Sequence, residues 1–242
     1  TNAKNIASTS MAKPGFASGQ LSFNINKCHC EWDLNQCLNA GSFTFNDTVF
    51  DGRKMIFENI SAASSATNCL FMINGQQSSV ALFGITNTQA ALTFNNCMSI
   101  EVEPGLLSTP AGIRKSTGAV FNNHEHFHIN FQSANLAYGF YADGTVNCTI
   151  DGFKLVGPGF MFTTNKGLTV KNIDVTHLAI GTTQTTGGRY GVVTQNNIDF
   201  VLDGMTICQN NTITNAHPYN GIVQINGTLG KNSIRNICSR SK

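Results

Sequence analysis

The chain has 242 residues, of which only 12% are charged, and its formal net charge is +2. This balance, without a basic or acidic block, argues against nucleic-acid binding and against a polybasic membrane anchor. No stretch approaches the roughly 20 apolar residues of a transmembrane helix, so we expect no membrane insertion. The 29 asparagines and 23 glycines indicate many turns and a neutral polar surface of the kind that binds sugars, although a turn-rich β protein needs the same residues for its fold alone.

The two ends and two internal segments differ from the rest of the chain. Residues 1–20 are small and polar, which is typical of an arm or linker. Residues 21–50 are expected to form a cap or the first coils, because an open solenoid end exposes strand edges. Segments 105–119 and 178–191 are predicted to be inserted loops, and residues 239–242 a polar tail.

Short strand-like runs, bounded by Gly, Asn, Asp or Pro, are distributed along the whole chain. No segment has helical periodicity over 12 residues. The sequence therefore predicts an all-β protein. The runs are Leu21–Asn24, Phe43–Val49, Ala91–Phe94, Phe127–Phe131, Thr149–Val156, Leu168–Val175, Phe200–Ile207 and Ile222–Ile225.

A short pattern recurs seven times between residues 51 and 238: an apolar residue, any residue, then Asn or Gly, usually followed by another apolar residue. The Asn or Gly positions are 20 to 37 residues apart, which is the length of one solenoid coil. Gly and Asn tolerate the left-handed backbone that a one-residue corner between two strands requires. The pattern predicts a single-stranded parallel β-helix of about 7–9 coils with inserted loops. Its corner residues are Asn59, Asn96, Asn123, Gly152, Asn172, Gly204 and Asn236.

The residue before each predicted corner is expected to point outward, because side chains alternate along a strand. If all seven corners stack, these residues form one external column in which opposite charges alternate over the last four coils. Two acidic residues, Asp151 and Asp203, then have a structural explanation. The column is Glu58, Asn95, Asn122, Asp151, Lys171, Asp203 and Arg235.

The segments TVNCTIDGFKLVG (145–157) and NKGLTVKNIDVTH (165–177) resemble the repeats of pectin-lyase-like proteins and bacteriophage tailspikes, across roughly residues 55–238. The resemblance implies a right-handed β-helix and a viral spike that recognises host surface polysaccharide. It also implies a homotrimer within a larger particle, at the virion surface or outside the cell, with no required cofactor. Two alternatives share the fold: a polysaccharide-degrading glycoside hydrolase or lyase, and a structural protein of a particle or cell surface without a ligand.

Hydrolysis of a glycosidic bond requires two carboxyl groups. Glu125, Asp174 and Asp199 are the catalytic candidates, because the column does not account for them. Nothing in the sequence pairs them. Sugar rings stack on aromatic faces, and four tyrosines are candidate sugar-binding residues. They are Tyr138, Tyr141, Tyr190 and Tyr219.

His124, His126 and His128 project from one face if their segment is a strand. This spacing brings imidazoles close enough to share a transition-metal ion. In phage spikes and fibres, such pairs from three chains can enclose a metal on the trimer axis, and the resemblance here is to that short pattern only. The alternatives are a solvated histidine row and a sugar-binding or catalytic role.

The eight cysteines are expected to be mostly reduced. Cys97, Cys148, Cys208 and Cys238 lie in or beside strand-like runs, where a thiol serves as a small apolar core residue. The cluster Cys28-His29-Cys30 with Cys37 is poorly spaced for zinc, which favours a local disulfide or buried thiols.

Overall fold

The computed structural model describes residues 22–38, 41–73, 83–102, 111–129, 138–157, 159–177, 190–209, 221–227 and 230–241. Within these ranges the chain is all-β, with 21 strands and no helix. No helix that could span a membrane is therefore found in the described part of the chain. The predicted arm at 1–20 lies outside the described residues.

The strands are short and follow one another closely. In chain order they are β1 (Ser22–Asn26), β2 (His29–Leu38), β3 (Ser42–Asn46), β4 (Val49–Glu58), β5 (Ser64–Thr67), β6 (Leu70–Ile73), β7 (Phe83–Thr86), β8 (Leu92–Asn95), β9 (Met98–Val102), β10 (Ala111–Arg114), β11 (Val120–Asn122), β12 (Glu125–Ile129), β13 (Phe140–Asp143), β14 (Thr149–Asp151), β15 (Lys154–Gly157), β16 (Phe160–Thr163), β17 (Thr169–His177), β18 (Tyr190–Gln195), β19 (Val201–Gln209), β20 (Gly221–Asn226) and β21 (Ser233–Ser241).

All 20 strand pairs between these elements are parallel. The pairs form three stacks. The first stack contains β1, β3, β5, β8, β11, β14 and the beginnings of β17, β19 and β21. The second contains the beginnings of β2 and β4, then β6, β9, β12, β15 and the ends of β17, β19 and β21. The third contains the ends of β2 and β4, then β7, β10, β13, β16, β18 and β20. The chain passes from stack to stack in turn, which is consistent with a parallel β-helix.

The seven predicted corner residues all have positive φ angles, between 49° and 83°. Six of them follow the first stack, where the residues preceding them pair in register. Asn59 does not belong to this column, because Glu58 of β4 pairs with Thr86 of the third stack. The prediction that all seven corner residues form one column was therefore wrong for Asn59, the first of them. Corners after the first and third stacks use the same left-handed geometry, so the pattern cannot distinguish them.

The external charge column is observed at its C-terminal end. The Arg235 guanidinium donates to Asp203 Oδ2 at 2.8 Å, and Asn236 Nδ2 donates to Asp203 Oδ1 at 2.7 Å. These hydrogen bonds, together with the charges of Arg235 and Lys171, lower the pKa of Asp203. Because the side chains of this ion pair are 61% and 24% exposed, solvent limits its contribution to stability.

Asn87 is a position at which the free-energy cost of a residue unsuited to a left-handed corner can be measured. It is exposed and has a φ of 50°, a conformation that strains a β-branched residue. We expect Asn87→Val to lower the free energy of unfolding by about 1–2 kcal/mol and Asn87→Gly to change it by less than about 0.5 kcal/mol. Urea unfolding of both variants checks this, and equal losses would contradict a backbone origin.

The core lies between the three stacks and is dominated by fully buried phenylalanines. Their rings form continuous contacts; for example, Phe94 stacks on Phe121 at 4.9 Å and meets Phe57 edge-on at 5.1 Å. A polar column lies inside the corner between the third and first stacks. There the buried Asn165 and Asn197 bond to one another and to backbone groups of neighbouring levels.

The cysteines whose side chains are described are free thiols. Cys97 and Cys148 are buried, as predicted, and Cys208 is half-buried. Cys238 is exposed, so its predicted core role was wrong. Cys238 lies on the outer side of β21, where it pairs with Thr206 of β19, the preceding strand of the second stack. Burial raises the pKa of the Cys30 thiol to about 11, and no disulfide joins it to Cys28.

Three predicted segments can be placed. Segment 105–119 includes β10, so its assignment as a loop was wrong at 111–114, where a third-stack strand pairs on both sides. Of segment 178–191, only Tyr190 and Gly191 are described, and they begin β18. Residues 22–50 include β1, which pairs in register with β3, and β2, which pairs with β4 with a register shift between Trp32 and Asn35. At the other end, β21 extends to Ser241, within the expected tail.

Candidate functional site

The outer side of the second stack carries two parallel rows of side chains. Strand alternation produces them, because every second residue of β12, β15, β17, β19 and β21 points away from the core. The first row contains Glu125, Lys154, Asp174 and Thr206, in register on successive strands. The second row contains Phe127, Val156, Thr176, Cys208 and Arg240.

The two rows line a groove of about 570 Å³. Its lining residues come from five successive strands of the stack, which corresponds to a length of roughly 19 Å at about 4.8 Å per strand. Hydroxyls of Thr176 and Thr206 lie beside half-buried apolar groups of Phe127 and Val156. The groove thus offers neutral hydrogen-bonding groups, charges of both signs and an aromatic face along one line.

The charged residues of the first row are partly paired. Lys154 Nζ donates to Glu125 Oε1 at 2.5 Å, with side chains 57% and 29% exposed. This hydrogen bond, the Glu125 charge and, to a smaller extent, the Asp174 charge raise the pKa of Lys154. Lys154 therefore remains a cation at neutral pH, situated between two carboxylates on adjacent strands.

The structure brings two of the three catalytic candidates together and separates the third. Glu125 and Asp174 share the first row of the groove, with Lys154 between them. Asp199 lies elsewhere, at an exposed corner between the third and first stacks, with a φ of 54°. It occupies a left-handed corner equivalent to that of Asn147 and Gly167, which gives Asp199 a structural explanation that the sequence did not supply.

Tyr138 and Tyr141, whose side chains are described, are not among the residues that line this groove. Tyr141 is half-buried on the outer side of β13 in the third stack, where the Arg114 guanidinium lies 5.1 Å from its ring centroid. Tyr138 is half-buried just before β13. Tyr190 begins β18 and pairs with Gly221, and Tyr219 lies outside the described residues.

The three histidines occupy one face, as predicted, but that face is the core. His124, His126 and His128 are 0%, 0% and 4% exposed, so they do not form a solvated row. The reason is the parity set by the Asn123 corner: the first, third and fifth residues after it point inward. The same parity after the Asn96 corner buries Ser99 and Glu101, which the sequence interpretation did not single out. Counting every second residue from the Asn96 corner would have identified Ser99 and Glu101 as buried.

A chain of polar contacts joins these residues. Ser99 Oγ lies 2.8 Å from His124 Nε2 and 2.6 Å from His126 Nδ1. The Nε2 atoms of His126 and His128 are 3.2 Å apart, and His128 Nδ1 lies 3.3 Å from Glu101 Oε2. Glu101, His126 and His128 each offer a ligand atom within 4.8 Å of the other two. Compared with the predicted set of three histidines, Glu101 takes the place of His124.

Aromatic rings pack against this buried polar cluster. Phe83 stacks on His124 at 5.5 Å, and Phe153 contacts the same ring at 5.1 Å. Burial lowers the pKa of His124 to about 3. Burial, and then the neighbouring imidazoles, hold the pKa of His126 well below its usual value. Both rings are therefore neutral at physiological pH, which is the form that binds metals.

The fold defines the class of this protein: it is an all-β protein with long parallel sheets consistent with a β-helix. Comparison with known proteins does not narrow this class further. No known protein family matches this chain, and neither a curated protein nor a solved structure matches it.

Proposed function

We propose that this protein is a right-handed parallel β-helix of the phage tailspike type, which binds a host surface polysaccharide in the groove outside the second stack. The observation that carries the proposal is the groove itself, in which five successive strands present hydrogen-bonding side chains along one line. A polysaccharide is also a linear repeat, so successive sugars can meet equivalent positions on successive strands. We further propose that the protein acts at the virion surface or outside the cell.

The chemistry of the groove favours a glycan over other polymers. Glu125 and Asp174 are anionic and Lys154 and Arg240 cationic, so their charges balance instead of forming the basic stripe that a nucleic acid requires. Threonine hydroxyls both donate and accept hydrogen bonds, as sugar hydroxyls do. The half-buried ring of Phe127 supplies an apolar surface for the face of a sugar ring.

We expect Phe127→Ala to weaken polysaccharide binding about ten-fold, because it removes the aromatic surface in the groove. Met161→Ala is the matched control, since Met161 is also half-buried and points outward, but on the third stack. Purified bacterial capsular polysaccharides and lipopolysaccharide O-chains serve as probes, first on an array and then by calorimetry. Absence of binding to every probe would favour a structural protein without a ligand, and equal losses in both variants would mean that the groove is not the binding site.

Hydrolysis is the second candidate, and it is favoured by the position of Glu125 and Asp174 in one row. Two strand spacings separate their backbones by about 9.6 Å, near the upper end of the roughly 6.5–9.5 Å between the carboxyl groups of inverting glycosidases. A hydrolase should release reducing sugar from the polysaccharide that it binds. Glu125→Gln and Asp174→Asn should then abolish release while binding persists; binding without release in the unmodified protein identifies an adhesin.

We also propose that the chain assembles as a homotrimer. Outward apolar side chains lie beyond the groove toward the N-terminal end of the second stack, where Met72 and Ile100 are half-buried and in register. Light scattering of the unmodified chain should give three times the monomer mass. We expect Ile100→Glu to shift this mass to that of the monomer, whereas Thr93→Glu on the outer side of the first stack should not. A monomeric unmodified chain at micromolar concentration would refute the assembly.

A further inference from the structure

We propose that Glu101, His126 and His128 form an intramolecular binding site for a divalent transition-metal ion of the zinc class. The three side chains are almost fully buried, and each has a ligand atom within 4.8 Å of the other two. They come from β9 and β12, which are adjacent in the second stack. The site lies inside one chain and does not depend on the groove or on assembly.

The spacing of the imidazoles fits tetrahedral coordination. His126 Nε2 and His128 Nε2 face one another at 3.2 Å. Two nitrogens bound to zinc at about 2.0–2.1 Å in a tetrahedral site are separated by about 3.3–3.4 Å. A metal ion between the two nitrogens therefore requires only a small outward movement of the rings.

The charge of the site also favours a cation. Glu101 is 0% exposed, and its carboxylate oxygens accept no hydrogen bond from the described residues. His128 Nδ1 lies 3.3 Å from Glu101 Oε2. A buried carboxylate is costly unless it is paired or binds a metal, and a divalent ion compensates its charge directly.

Neighbouring groups orient the two imidazoles. Ser99 Oγ lies 2.6 Å from His126 Nδ1, so it can accept a hydrogen bond from Nδ1–H and leave the Nε2 lone pair directed toward His128. Such partners on the second ring nitrogen are typical of metal-bound histidines. Gly157 supplies the space, because a Cβ at this position would lie 2.5 Å from His128 Cδ2.

His124 does not belong to the proposed ligand set. Its Nε2 lies 2.8 Å from Ser99 Oγ, and His124 is not among the residues whose ligand atoms lie within 4.8 Å of one another. The proposed ligands are therefore not the three histidines of one strand segment, because the carboxylate of Glu101 on β9 is the third ligand in place of His124. The Gly139 carbonyl oxygen lies 3.2 Å from His128 Nε2 and is a candidate for the fourth ligand.

The test uses the full chain without a histidine tag, unfolded in chelator and refolded separately with zinc chloride or cobalt chloride. After desalting, we expect about one ion per chain by elemental analysis. Cobalt should show the intense visible absorption of a four- or five-coordinate ion. If the chain refolds with native circular dichroism but retains no ion, the cluster is a hydrogen-bonded network and the proposal is overturned.

Variants distinguish this site from surface binding. Glu101→Gln and His126→Asn should weaken retention at least about 100-fold. His29→Asn is the control, because His29 is exposed on β2, and it should retain the ion. His124→Asn should also retain it. If only the His29→Asn variant lost the ion, the ion would be bound at His29 and not at the proposed site. If the ligand variants do not fold, the cobalt spectrum and stoichiometry of the unmodified chain still decide the question.

Discussion

Replacing Phe94 with alanine is expected to lower the free energy of unfolding by about 3–5 kcal/mol. Phe94 is completely buried, and its ring contacts five other phenylalanines, from Phe43 in an earlier level to Phe121 in the next. Truncation therefore removes apolar burial and leaves a cavity where levels meet. Since the rings are held by separate strands, the cavity cannot close without shifting the backbone.

Thr93→Ala is the matched control for Phe94→Ala. Thr93 is adjacent on β8, is half-buried and points outward. Its truncation should cost less than about 0.5 kcal/mol. Urea unfolding followed by circular dichroism measures both variants. A loss below about 1 kcal/mol for Phe94→Ala would mean that the aromatic column is not the main source of stability.

The second large effect is expected for Asn197→Ala, with a loss of about 2–4 kcal/mol. Asn197 is 1% exposed and fully hydrogen-bonded: its amide donates to the Phe162 carbonyl and the Thr194 hydroxyl. Its Oδ1 accepts from both the backbone and side-chain nitrogens of Asn165. Alanine leaves these buried groups unsatisfied, and each such group carries a desolvation cost.

Asn196 is the control for Asn197, because it is adjacent but exposed, with a φ of 52°. Asn196→Gly keeps the left-handed corner accessible and should change stability by less than about 0.5 kcal/mol. Thermal and urea unfolding should therefore show losses for the two variants that differ by at least about 1.5 kcal/mol. Similar losses at both positions would contradict a hydrogen-bonded interior column.

The groove was only partly predictable. Glu125 and Asp174 are 49 residues apart, and the sequence did not pair them because the connections between strands differ in length. Only the register Glu125–Lys154–Asp174 puts their side chains in one row. Cross-strand neighbours depend on pairing between distant segments, which local patterns do not report.

The buried cluster illustrates a different limit. Three histidines on one face follow from strand alternation, but whether that face is external depends on the position of the corner before it. Asn123 turns at a φ of 49°, and the next residue, His124, enters the core. Glu101 joins the cluster only through the pairing of β9 with β12, so its role could not be inferred from the histidine segment alone.

The sequence by itself determined the all-β class and six corners of one column, because Asn and Gly occupy left-handed positions there at intervals of about one coil. It did not separate the third stack from the first: Asn59 was assigned to the wrong column, and the third-stack corners at Lys115 and Thr164 carry residue types that do not mark a left-handed turn. Tertiary structure alone decided which rows meet, which histidines are buried and which carboxylates share the groove. The physical reason is that strand pairing and core packing join residues 20 or more positions apart, and side-chain direction at each level follows from that register.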